Sequence, residues 1–454
     1  MRRQRVVRGV AANLIDQGVI VLIQLLTVAL LVRFWGAAGF GIWAMVTAIP
    51  AMLALGDLGF GAVAAARMTM EVARGEPAQA GETLRAALRV VACAALILGL
   101  GAGLLAGFGQ SWLAAAIPQL SSTELVLLPI ALAVYAIGVL FAGLSQALFR
   151  SSGRFAQGML LSTLTNAAEA ALLFLTAGLG WGIGWAAAAW ACGRLLGTAL
   201  QWVIAARAMP ALLQGWARPA ANRVRELIVP SLSATALPLA RALLLQVTVI
   251  VLGGIAGALA VPAFVAARTL SRIGLQGGQL LALALMPEFG AAAAQGNRRS
   301  LVRMVVLVAV TAGAVSIPFA ILLALFGPWV IGLWTGQAVA ASGTLLMVMA
   351  LSALFGGLWN PLSNLLLAVN RQVEFAWIYA GLAVSGVAFT AATAARLGSI
   401  APALAFAGID LVMLLLIARV VWQSWAKEAD LRETLHGLYR DGKALVAARF
   451  EARG

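Results

Sequence analysis

Charge is scarce in this chain: only 10% of its 454 residues are Asp, Glu, Lys or Arg. A soluble core of that length would need far more polar surface to cover it. Acidic groups are the scarcer sign, 16 against 31 Lys and Arg. Histidine occurs once, as His436, and cysteine twice, as Cys93 and Cys192, both inside apolar runs. That scarcity argues against a disulfide framework and against a metal site. No Gly-Lys-[Ser/Thr] triplet occurs, so ATP is not the direct driver through a Walker loop. No nucleophile–base constellation is visible, and we expect no catalytic residue and no cofactor. The apolar runs do not alternate with polar residues, which excludes a transmembrane β-barrel.

What is present in excess is hydrophobicity: 63% of residues, with a mean hydropathy of +0.98. Apolar runs of about 20 residues read as membrane-spanning helices, whose backbone groups are satisfied internally. Spans are expected near 10–33, 42–65, 86–108, 125–148, 157–179, 183–206, 227–252, 258–285, 301–325, 344–367, 374–396 and 401–424. The fold class is therefore an all-α polytopic membrane protein of about 12 helices. The start, Met1-Arg-Arg-Gln-Arg, resembles a signal-peptide n-region, yet no cleavage site with a soluble domain follows, so the first run is read as helix 1.

The net charge of +15 does not point to nucleic acid, which needs a contiguous basic face. The arginines are instead dispersed over alternate loops. The odd-numbered loops, 34–41, 109–124, 180–182, 253–257, 326–343 and 397–400, hold no Lys or Arg. The even-numbered ones hold Arg74 and Arg85, Arg150 and Arg154, Arg207, Arg218, Arg223 and Arg225, Arg298 and Arg299, and Arg371. By the positive-inside rule both termini are cytoplasmic, in a bacterial inner membrane. Trp35, Trp43, Trp112, Trp181, Trp185, Trp329 and Trp334 fall where the outer interface is expected, a depth that suits amphipathic indoles.

Short motifs recur. Gly36-Ala-Ala-Gly39 returns as Gly254-Ile-Ala-Gly257, and Ala106-Gly-Phe-Gly109 as Ala324-Leu-Phe-Gly327, both at an offset of 218; Gly153-Arg154 returns as Asn370-Arg371 at 217. Such an offset covers six helices, an even number, so the halves share one orientation and form a parallel repeat. The expected division is a six-helix bundle over 1–206, a cytoplasmic linker over 207–226, a second bundle over 227–424 and a tail over 425–454. Leu431, Leu435, Leu438, Leu445 and Phe450 share a helical face, so the tail reads either as an amphipathic surface helix or as a solvated segment.

Leu31-Val-Arg-Phe-Trp-Gly-Ala-Ala-Gly-Phe-Gly-Ile-Trp43 and Leu55-Gly-Asp-Leu-Gly-Phe-Gly61 resemble the opening of bacterial polysaccharide flippases of the O-antigen translocase type, within the multidrug/oligosaccharidyl-lipid/polysaccharide exporter superfamily. Met286-Pro-Glu-Phe289, Arg298-Arg-Ser-Leu-Val-Arg303 and Leu366-Leu-Ala-Val-Asn-Arg371 are similar to that family's later turns. The resemblance implies two six-helix bundles around a central cavity, alternating access, and a polyprenyl-diphosphate-linked glycan as cargo. We expect the chain to act as a monomer, with polysaccharide polymerase machinery as a partner and no nucleic acid. The rival reading is a cation-coupled drug antiporter of the multidrug and toxin extrusion branch, which would place carboxylates rather than arginines at its centre.

Charges at membrane depth are costly and usually face a cavity or a partner. Arg194, Arg241, Arg268 and Arg272 all fall inside expected spans. Arg268 and Arg272 are four apart and share a face. Guanidinium forks bind phosphate oxygens bidentately, so these four are the candidates for holding a diphosphate. The alternative is structural pairing with an intramembrane carboxylate; Asp16, Asp57, Glu169 and Asp410 are available. Asp16, Glu169 and Asp410 are also the candidates for ion coupling, whereas Asp57, among glycines, reads as a helix cap. Asn13, Gln17 and Gln24 form one stripe on helix 1 and either contact sugar hydroxyls or bond between helices. Pro230 and Pro238, near Arg241, are candidate kinks in helix 7.

Overall fold

The computed structural model describes residues 2–53, 60–213 and 237–426. Asp57, Pro230, Arg218, Arg223, Arg225, His436 and nearly all of the tail lie outside the described residues, as does most of the expected linker. The described residues form helices and turns, with no strand among them.

The helices are α1 (Arg2–Leu53), α2 (Phe60–Ala73), α3 (Pro77–Phe108), α4 (Gln110–Ala116), α5 (Ser122–Ser151), α6 (Phe155–Gly178), α7 (Ile183–Ala208), α8 (Pro210–Leu213), α9 (Leu237–Ala256), α10 (Ala260–Ala294), α11 (Arg298–Trp334), α12 (Gly343–Ala368), α13 (Val373–Leu397) and α14 (Ile400–Val421). Nine helical spans among the described residues are long and apolar enough to cross a membrane. One of them, in α1, is broken at Gly36 (φ 71°, ψ 177°) and counts as two. With α7 and α10, 26 and 35 residues long, the set reaches the twelve segments expected. The chain is a multi-pass helical membrane protein.

Contacts divide the chain into two compact units, residues 1–262 and 263–454. In the first, α5 packs on α3 and α7, α6 packs on α7 and α1, and α2 packs on α3 and α5. In the second, α12 packs on α11 and α14, and α13 packs on α14. Counted by position in each half, the same neighbours meet: third with fourth, fourth with sixth, fifth with sixth. By the repeat α9 belongs to the second half, yet it lies in the first unit. It packs on α1, where a Cβ on Gly41 would fall 2.0 Å from the Ala258 carbonyl oxygen and one on Gly253 would meet Met45.

The turns show the repeat in finer detail and correct its register. Positive φ occurs at Gly36 and Gly257, at Gly75 and Gly296, at Gly153 and Asn370, and at Gly180 and Gly398. Gly75, Gly296, Gly153 and Asn370 each close a helix with the same pair of hydrogen bonds, from the left-handed residue back three positions and from its successor back five. Ser121 and Ser342 cap corresponding helices, α5 and α12. The offset is thus 221 from Gly36 through Ser121, and 217–218 from Gly153 onward. The step arises inside one helix pair: α5 has 30 residues and α12 has 26, a difference of about one turn. The offset of 218 read from the first two motifs is therefore revised. Gly36 stands opposite Gly257, not Gly254, because the backbone breaks at those two residues.

Gly36 and Gly257 (φ 85°, ψ 160°) occupy a region essentially confined to glycine, with no neighbouring atom crowding either. Gly257→Val is expected to cost about 1–3 kcal/mol through backbone strain alone. A lowered Tm of the purified variant would show it, and an unchanged Tm would count against it.

At the arginine-rich end of the second unit, Arg371 pairs with Glu374 and donates to Ser424 Oγ at 2.6 Å. Its guanidinium lies 5.5 Å from the Trp425 ring centre, and Trp425 meets Phe289 edge-on at 5.1 Å. The end of α14 is thereby tied to α10 and to the turn before α13.

Candidate functional site

Two polar clusters lie at helix mid-length, one in each unit. In the first unit, Tyr135 comes from α5, Asn166 and Glu169 from α6, and Arg194 from α7. Arg194 Nη2 donates to Glu169 Oε1 at 2.6 Å, to Asn166 Oδ1 at 2.9 Å and to the Tyr135 hydroxyl at 3.2 Å. Tyr135 Oη in turn donates to Glu169 Oε1 at 3.3 Å. Arg194 is 7% exposed and Glu169 6%. The Tyr135 ring stacks on Trp190 with 3.4 Å between centres, and Trp190 continues to Trp43 and Trp35.

The α7 sequence explains how α6 comes this close. Gly193-Arg-Leu-Leu-Gly197 is a small-xxx-small stripe, which lets helix backbones approach. A Cβ on Gly193 would sit 2.9 Å from Glu169 Cα, and one on Gly197 would sit 2.2 Å from Thr165 Cγ2. A Cβ on Gly138 of α5 would fall 2.7 Å from Arg194 Cγ, so that glycine makes room for the arginine stem. About two turns beyond Arg194 on α7, Gln201 accepts from Ser145 at 2.8 Å and donates to Thr165 at 3.0 Å, binding the same three helices together.

In the second unit, Asp410 of α14 accepts from Ser352 Oγ at 2.6 Å and from Trp359 Nε1 at 2.9 Å, both on α12. Ser352 stands 217 residues after Tyr135, so the two clusters occupy related places in the repeat. On α10, Arg268 is half-buried with its guanidinium 5.5 Å from the centre of the buried Phe264 ring, which packs edge-on against Phe406. Arg272, one turn on, is exposed. Arg241, half-buried on α9, stands two residues before a π-helical turn at Leu243–Val247. Pro238 lies within the first turn of α9 as described.

Asp16 is buried and accepts from Thr163 of α6 at 2.7 Å. Also on α1, Asn13 is half-buried while Gln17 and Gln24 are exposed. Arg194 makes the structural pairing with an intramembrane carboxylate that was the alternative for it: a carboxylate, an amide and a hydroxyl of its own unit hold it. Trp43 is 4% exposed inside the aromatic chain, while Trp112, Trp181, Trp185 and Trp329 are exposed. Tyr135, Asn166, Ser352 and Trp359 were not singled out from the sequence. The one available signal was Asn166 standing three residues before Glu169, on the same helix face.

No family model matches the chain, and no curated protein sequence does. Its fold is that of the transporters of the MOP superfamily. Solved structures with this fold include a multidrug resistance MATE family transporter in an inward-facing conformation, with a TM-score of 0.73 and 14% identity over 90% of this chain and 96% of that one. The lipid II flippase MurJ, in an inward closed conformation, matches with a TM-score of 0.65 and 13% identity over 94% of this chain and 89% of its own. A MOP superfamily transporter from Pyrococcus furiosus, described by a reverse polarity of its binding pocket, matches at 0.56 with 16% identity over 93% and 95%.

Proposed function

We propose that this protein is a flippase of the inner membrane that carries a polyprenyl-diphosphate-linked oligosaccharide by alternating access, for surface polysaccharide synthesis, with both termini in the cytoplasm. The observation that carries this reading is the pair Arg268 and Arg272, one turn apart on the 35-residue helix α10. Two like charges on one face repel unless an anion lies between them. A diphosphate supplies that anion and suits guanidinium forks. Arg241 on α9 is a further requirement for passage of the same anionic head group. The polar stripe of Asn13, Gln17 and Gln24 offers amides to sugar hydroxyls.

The drug-antiporter reading is favoured by the likeness to the multidrug MATE transporter, and one experiment separates the two. The gene is removed, and surface polysaccharide and lipid-linked intermediates are analysed beside drug sensitivity. The flippase reading expects loss of polysaccharide and accumulation of the lipid-linked intermediate. Unchanged polysaccharide with drug hypersensitivity overturns it in favour of the antiporter.

A further inference from the structure

One side of the α6–α7 pair carries a pattern that transport of cargo does not use. On α7, Trp185, Leu196, Leu200, Val203 and Arg207 are all exposed. They stand 11, 15, 18 and 22 positions after Trp185, spacings that return to within about 60° of one direction on a helix. On α6, the exposed Gln157, Leu160 and Leu164 align in the same way. Leu164 directly precedes Thr165, and Leu196 directly precedes Gly197, where the two helices touch. Because the helices run antiparallel, the two stripes turn to the same side of the pair.

Trp185 and Arg207 lie about 33 Å apart along α7, close to the thickness of a bilayer's hydrocarbon core. An indole at one rim, branched aliphatic side chains between and a guanidinium at the other rim mark a surface that faces lipid. At the arginine rim, Gln157 stands level with Arg207, by the register that sets Gly197 and Gln201 against Thr165. Arg154, also exposed, directly precedes α6.

The charge of this rim has one sign. Among the described residues, neither Arg154 nor Arg207 pairs with a carboxylate. The carboxylates of α5, α6 and α7 are Glu124 and Glu169. Glu124 lies at the opposite end, held by the Gly184 amide, and Glu169 lies at mid-length on Arg194. Asp16 of α1, the helix beside α6, is buried against Thr163.

We propose that this rim is a binding site for an anionic phospholipid of the surrounding bilayer, of the phosphatidylglycerol class. Arg207 and Arg154 hold the phosphodiester, and guanidinium groups suit phosphate oxygens. The Gln157 amide meets the hydroxyls of the head group. The acyl chains run along Leu160, Leu164, Leu200 and Val203. A zwitterionic phosphatidylethanolamine fits less well, because its ammonium group meets two arginines and no carboxylate. Binding here does not depend on which cargo the protein carries.

The test uses the full chain, purified in detergent and stripped of lipid, with dioleoyl phosphatidylglycerol titrated in and complexes counted by native mass spectrometry. Wild type is expected to prefer it to dioleoyl phosphatidylethanolamine. Arg207→Ala should weaken binding about fivefold, and Arg154→Ala with Arg207→Ala about thirtyfold. Arg207→Lys should keep most of the affinity, since the charge remains. Arg74→Ala is the control. It removes an exposed charge at the same end of the unit, from a turn that also carries Glu76, and should leave binding unchanged. Glycerol 1-phosphate, a head group without chains, should not compete. Equal binding of the two lipids, unchanged affinity in the double variant, or an equal loss in Arg74→Ala each overturns the proposal. Displacement of the lipid by glycerol 1-phosphate overturns it in favour of a site for soluble phosphates. If the double variant does not fold, the single variants decide: each should lose about fivefold, and unchanged affinity in both overturns the site.

Discussion

Arg241→Ala and Arg268→Ala are each expected to abolish surface glycan export while the protein accumulates to normal levels. Truncating one partner of a desolvated, hydrogen-bonded charge pair costs about 2–5 kcal/mol. At roughly 1.4 kcal/mol per tenfold, that is a loss of about thirtyfold or more. Gel analysis of surface polysaccharide, with immunoblotting of the protein, reads the outcome. Arg268→Lys should fall between wild type and alanine, since it keeps the charge and loses the planar fork. Full export in both alanine variants would remove these arginines from the mechanism.

Gly193→Leu and Gly197→Leu are expected to leave little folded protein. On Gly197 a Cβ would lie 2.2 Å from Thr165, a short branched side chain with no flexible end to move aside. On Gly193 the obstacle is the backbone of Glu169 itself. Overpacking typically costs about 1–3 kcal/mol, and a whole leucine between two touching helices belongs at or above the upper end. Gly99→Leu and Gly103→Leu are the controls. These glycines of α3 have nothing within 4 Å of an added Cβ, and both variants should purify like wild type. Size-exclusion profiles and Tm values give the comparison; equal loss in all four variants would refute the assigned helix contact.

The spans were legible because a lipid-exposed helix records its environment along its whole length, and because arginine marks every second loop. The halves were legible at Gly153-Arg154 and Asn370-Arg371, where both turns need a residue tolerant of positive φ. The register before them was not. Gly36 and Gly39 can each be set against Gly254 or Gly257, and the extra turn of α5 is hidden in an unbroken apolar run. The rare buried charges announced themselves, but their partners did not. Tyr135 and Arg194, or Asp410 and Ser352, are brought together by helix packing across 59 and 58 positions, which no local pattern encodes. The burial of Trp43 was hidden for the same reason. An indole near a helix end suits an interface or an interior, and the choice depends on Trp35 and Trp190 beside it.

The fastening of α14 bears on how this chain can be handled in the laboratory. Ser424 and Trp425 are its outermost members, both held by Arg371. A stop codon or a fluorescent-protein fusion placed after Ala426 keeps every part of it. A stop codon after Val421 removes both anchors at once, and leaves Phe289 without the ring it packs against.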